Sequence, residues 1–90
     1  MLFIVMTFTF TILQPEGRIR TFSIYSESVE ECLEEITPIL HFGRSLLFAS
    51  FKKSNGTLKI LPVNVEEGEP MTDYLQRLQK QWVECVEQEG

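Results

Sequence analysis

The sequence predicts an α+β protein: two ββα units whose four strands form one antiparallel sheet, with both helices on one face. Three observations carry this expectation. Met6, Phe8, Phe10 and Ile12 alternate with Thr7, Thr9 and Thr11, the period of a strand with one buried face. Two later segments place apolar residues at helical spacing. The second half of the chain then repeats the order of the first, with Gly17 and Gly56 standing 39 positions apart.

Taken in order, the Met6 to Ile12 strand runs into Gln14-Pro15-Glu16-Gly17, where a proline with preset φ and a glycine predict a turn. Arg18 to Tyr25 resumes with β-forming residues and completes a hairpin. Ser28, with Glu31 three residues on, has the form of a capping box. Beyond it Val29, Cys32, Leu33, Ile36 and Leu40 share one helical stripe, so the first helix starts near Val29. Pro38 lacks an N–H and disfavours helical geometry at Thr37, which predicts an end or a kink there. His41-Phe42-Gly43 leads out of the unit.

Ser45 to Lys53 reads as the third strand, Ser54-Asn55-Gly56 as a hairpin turn, and Thr57 to Asn64 as the returning strand. Pro62 cannot donate to a ladder, so that strand is expected either at a sheet edge or with its missing donor turned outward. Pro70 suits a first helical turn. Met71, Tyr74, Leu75, Leu78, Trp82, Cys85 and Val86 then form the stripe of a second, longer helix.

A shift of 39 superposes Phe8, Ile12, Ile19, Arg20, Phe22 and Ile24 on Leu47, Phe51, Leu58, Lys59, Leu61 and Val63. A shift of 42 superposes the two helical stripes. Generic ββα patterns also align by chance when one gap is free, and the architecture is the same on either account.

Ninety residues close a single core, so the chain is expected to be one domain over 1–90, with unit one at about 1–42 and unit two at about 43–90. A hydrophobic share of 43% with 23% charged residues suits a folded domain. The net charge of −5 argues against a general polyanion binder, which needs many cations to displace counterions. Cys32 and Cys85 are too few for a disulfide framework or a metal knuckle, which fits a reducing, cytoplasmic setting. The apolar opening Met1 to Met6 lacks a basic flank and runs into threonines, so neither a signal peptide nor a membrane span is expected. Regular alternation begins only at Met6, which leaves open whether residues 1–5 belong to the first strand.

If the helices cover one face of the sheet, that face receives Phe8, Phe10, Ile12, Phe22, Ile24, Leu47, Ala49, Phe51, Leu61 and Val63. The other face divides. Thr7, Thr9, Thr11, Thr21 and Ser23 make one half polar, while Leu46, Phe48, Leu58 and Ile60 make the other apolar. An open apolar half predicts a homodimer or another protein seated on it. The competing expectation is a cover from within, by the loop around Pro38 to Gly43 or by Leu2 to Val5. Glu30, Glu31 and Glu34, with Glu27 and Glu35, make the first helix acidic; this is the ordinary solvated side of an amphipathic helix or a second surface for a partner.

The expected function is therefore that of a noncatalytic interaction or regulatory module acting through the apolar sheet face and the acidic helices. Two other readings compete with it. Arg18, Arg20, Lys52, Lys53 and Lys59 on the hairpins would touch nucleic acid, although no phosphate loop, zinc motif or recognition helix accompanies them. His41 with Cys32 or a nearby carboxylate would make a small enzyme, but Cys32 falls on the apolar stripe, where a thiol is ordinarily inert packing. Pairs such as Glu30 with Glu34 or Glu31 with Glu35 lack an oxygen-rich loop to complete a cation site. Tyr74 and Trp82 read as core anchors. No cofactor or metal is called for.

Overall fold

Period-two alternation in both halves produces four strands, and the two apolar stripes produce two helices. The computed structural model describes residues 5–54 and 56–87. Along them run β1 (Met6–Leu13), β2 (Ile19–Ser26), α1 (Val29–His41), β3 (Ser45–Lys52), β4 (Leu58–Leu61) and α2 (Met71–Glu87). The sheet order is β2-β1-β3-β4 with every neighbouring pair antiparallel. Each hairpin thus supplies half the sheet, and the first strands of the two units meet at its centre. Phe10 lies opposite Ala49, its own counterpart 39 positions on. An approximate twofold relation between the units passes through that pair.

Both hairpins close with the same backbone bonds. Gly17 N–H donates to Gln14 O at 2.9 Å and Gln14 N–H to Arg18 O at 2.8 Å; Gly56 N–H donates to Lys53 O at 2.9 Å and Lys53 N–H to Thr57 O at 3.0 Å. Gly17 and Gly56 have φ of 92° and 90°, the left-handed region that a side chain strains. The ββ turns therefore repeat in geometry as well as in sequence.

The first helix starts as its cap requires, with Glu31 N–H donating to Ser28 Oγ at 3.2 Å. It does not stop at Pro38. It continues to His41, because Ile36 and Leu40 on either side of the proline are both buried and their packing outweighs one missing backbone bond. Thr37 Oγ1 donates to Leu33 O at 2.6 Å at the same turn. The returning strand of the second hairpin is shorter than its composition suggests: β4 ends at Leu61, immediately before Pro62.

The core lies between the sheet and the helices. Phe8, Phe10, Phe51 and Trp82 are completely buried within it. The Phe10 ring centroid is 5.9 Å from that of Trp82 and 5.6 Å from that of Phe22, and Phe8 is 6.0 Å from Phe51. These are favourable aromatic separations, and they join both hairpins to α2. Val29, Cys32, Leu33, Ile36 and Leu40 bring α1 to the same core. Phe22, Ile24 and Val63 pack against its margin.

Strand parity departs from simple alternation at one place. Thr11 lies opposite Phe48 but Ile12 lies opposite Leu46, so the register shifts and Leu47 has no partner across the ladder. Leu46 consequently points into the core with 8% exposure, and Leu47 is turned outward. This corrects two assignments: Leu46 belongs to the core and not to the open face, and Leu47 the reverse. The loop from Pro38 to Gly43 does not cover the open face either, since Pro38, Ile39 and Phe42 gather with Ile12 and Phe22 on the helix side of the sheet. The alternative cover from Leu2 to Ile4 lies outside the described residues, and Val5 is exposed.

The segment after β4 has no sheet partner to satisfy its carbonyls, and α2 supplies one. Trp82 Nε1–H donates to Pro62 O at 2.7 Å, Tyr74 O–H to Val63 O at 2.6 Å, and Arg77 Nη2 to Asn64 O at 2.5 Å. Three consecutive carbonyls are thus bound by side chains one and two turns apart on one helix. Arg77 also grips Glu69 through Nε at 2.9 Å and Nη2 at 2.7 Å, while Glu69 Oε1 accepts from Glu66 N–H at 3.2 Å. The two hydrogen bonds from Arg77 hold the Glu69 carboxyl down to about 2, with burial opposing the shift and the Glu66 amide aiding it.

Two outcomes follow from this packing. Leu46→Asp should cost roughly 3 kcal/mol or more of the single chain's unfolding free energy and Leu47→Asp no more than about 0.5 kcal/mol, as read from urea titrations at dilutions where the chain is monomeric; similar costs would contradict the bulge. Because the folded-state value of Glu69 is depressed, its contribution is complete above the ordinary 4.5 and is lost as pH falls toward about 2. The stability difference between the wild type and Glu69→Gln should accordingly shrink over that interval, and a difference independent of pH would show that the Arg77 pair is not formed.

Candidate interaction surface

The face of the sheet turned away from the helices is built by the alternate residues of all four strands. On the β1–β2 half, Thr9 and Ser23 hydroxyls hydrogen-bond at 3.0 Å and Thr11 and Thr21 at 3.1 Å across directly opposed positions. Hydroxyls paired in this way form a continuous polar strip. Tyr25, opposite Thr7, and Ile19, opposite Leu13, stand exposed at its two ends.

The β3–β4 half is different. Leu47, Phe48, Leu58 and Ile60 are 44%, 43%, 65% and 67% exposed. Ile60 lies opposite Ser50, two residues from Phe48 on the same face, and Leu58 lies opposite Lys52. Diagonal neighbours at this spacing touch when the side chains are large, so Phe48 and Ile60 begin one apolar patch that Leu58 extends along β4. Of the residues expected on this surface, Phe48, Leu58 and Ile60 are there, Leu46 is not, and Leu47 joins through the bulge. The signal for that exchange was present in the adjacent leucines Leu46-Leu47, which no strict alternation accommodates on one face.

The acidic residues form a separate surface. Glu30, Glu31 and Glu34 are exposed on α1, whose buried stripe of Val29, Cys32, Leu33, Ile36 and Leu40 faces the sheet. They therefore project on the side opposite Phe48 and Ile60. Glu27 and Glu35 are also exposed. The structure does not bring the acidic and apolar sets together.

The basic residues are divided too. Arg18 and Arg20 lie at the loop end of the first hairpin, and Lys52 and Lys53 at the loop end of the second. Because β1 and β3 are antiparallel, with Thr7 opposite Lys52 and Leu13 opposite Ser45, these ends point in opposite directions about 20 Å apart. Lys59, opposite Phe51, belongs to the second group and to the helix side of the sheet. No single basic strip follows the length of a nucleic-acid backbone.

Nor does α1 assemble the thiol with the imidazole. Cys32 and His41 are nine residues apart on that helix, which separates them by about 13 Å along its axis. Cys32 is completely buried, and burial, aided by the charge of Glu35, pushes its thiol up to about 12. His41 is exposed at the helix end. Tyr74 and Trp82 are buried with their polar atoms committed to the carbonyls after β4, as core anchors. Among the described residues no group of three or more His, Cys, Asp or Glu side chains is placed to hold a metal ion, and no helix is long and apolar enough to cross a membrane.

Iodoacetamide at neutral pH should modify the half-buried Cys85 in the folded protein and leave Cys32 intact until denaturant is added. Modification of Cys32 at the rate of a free thiol would mean that α1 opens under native conditions. Compared with known proteins, the chain matches no family model, no curated protein and no solved structure.

Proposed function

We propose that this chain is a noncatalytic interaction module that pairs with a second copy of itself through the apolar half of its open sheet face. The observation that carries the reading is the exposed group Leu47, Phe48, Leu58 and Ile60 on the outer side of β3 and β4. Each square ångström of apolar surface removed from water contributes about 25 cal/mol, so leaving this group in solvent forgoes a large gain.

A second copy suits the face on electrostatic grounds. The chain carries a net charge of −5, and like charges oppose self-association unless they are kept apart. Here the acidic surface of Glu30, Glu31 and Glu34 is on the far side of the molecule. Two copies meeting sheet to sheet bring apolar and hydroxyl-bearing residues together, with Lys52 beside Leu58 at the margin of the patch, and leave both acidic helices outward. The contact is then isologous, with the same patch on both copies, and closes at two. The outward α1 surfaces remain available to a basic partner, which the pair would engage at two places.

Light scattering over a dilution series reads the assembly directly. The wild type is expected at twice the chain mass, and Phe48→Glu or Ile60→Glu at the chain mass with an unchanged far-ultraviolet dichroism spectrum. A wild-type monomer at all concentrations would overturn the pairing, and an unchanged dimer in both variants would move it to another surface.

A further inference from the structure

We infer that the groove between the last turn of α1 and the first-hairpin end of the sheet binds a small amphiphilic carboxylate, with Arg20 and Arg44 holding the carboxylate. Ile12 lies in its floor on β1. Arg20 stands directly opposite Ile12 on β2, and Arg44 precedes β3 by one residue, two before Leu46, which is opposite Ile12 on the other side. Both arginines thus line the groove, one on each side of Ile12. Phe22, Ile39 and Phe42 complete apolar walls around a groove of about 320 Å³, at the small end of the roughly 300–1,000 Å³ range of ligand pockets.

Neither guanidinium has an ion pair or hydrogen bond among the described residues, in a chain with 13 acidic side chains. Arg44 shares the lining of a second, smaller cavity of about 120 Å³ with Glu69, but both Glu69 oxygens are taken by Arg77. An inward-pointing cation on an edge strand is a common guard against sheet extension, which accounts for Arg20 alone. It does not account for Arg44, which leads into an interior strand and converges on the same groove. A planar guanidinium matches a carboxylate bidentately, and the aromatic and aliphatic walls match a short hydrocarbon or aromatic body. The negative end of the α1 dipole also lies here; it amounts to about half a charge and is exceeded by two full positive ones.

The groove is on the helix side of the sheet, so this inference stands apart from the pairing of open faces. Titration of the ¹⁵N-labelled full chain with decanoate, followed by amide chemical shifts, tests it. Saturable shifts are expected at Ile12, Phe22, Phe42 and Arg44, with decanol, the neutral chain of equal length, binding about tenfold more weakly. The R20Q/R44Q double variant should lose about tenfold in decanoate affinity while its free spectrum stays that of a folded protein. Equal binding of decanoate and decanol, an affinity unchanged in the double variant, or shifts confined to Phe48 and Ile60 would each overturn the assignment.

Discussion

The pairing of β1 with β3 is the contact on which the rest of the molecule depends. It joins two hairpins that are each marginal alone, since a two-stranded ribbon buries too little apolar surface to persist in water. Across this seam Phe8 faces Phe51 and Phe10 faces Ala49. Ala49 is the small, fully buried residue opposite Phe10, whose ring stacks on that of Trp82 at 5.9 Å. A bulky side chain in its place would overpack the closed core there. The centre of the sheet, the approximate twofold relation and the seating of α2 therefore converge on one pair of residues.

The helices divide the remaining work unequally. α1 contributes five buried apolar residues and an acidic outer side, and holds its end past Pro38 by packing. α2 does more than cover the sheet. By binding the carbonyls of Pro62, Val63 and Asn64, it turns an edge strand that proline cuts short into an ordered connection. Tyr74 and Trp82 would be hard to replace singly, because each satisfies a part-buried backbone carbonyl that would otherwise lie poorly solvated beside the core.

The apolar and charged surfaces occupy different sides of this frame. Apolar residues gather on the outer side of β3 and β4, acidic residues on the outer side of α1, and two arginines line the groove at the first-hairpin end. A sheet with helices on only one face leaves its other face to solvent or to a partner, and here half of that face has hydroxyl ladders suited to water while half does not. The same chain thus combines a first hairpin with a hydroxyl-paired outer side and a second hairpin with an exposed apolar one.

Much of this was legible in the residues themselves. The threonine alternation of β1, the Ser28 cap, the glycines at both turns and the two helical stripes are local signals, since period, capping and positive φ depend on near neighbours alone. Nearly all of the core followed from them. Tertiary structure alone decided the rest. Leu46 and Leu47 exchange faces because the register of β3 is set by β1, a strand more than thirty residues away, and the bulge exists only in that pairing. The proline in α1 is overruled by the burial of Ile36 and Leu40. The basic residues, close to one another in composition, are parted by the antiparallel direction of β1 and β3, whereas Arg20 and Arg44, distant in sequence, are brought to one groove by the sheet order. Period and capping are written in consecutive residues; which strand lies beside which, and therefore what each side chain meets, is set by the burial of the whole core.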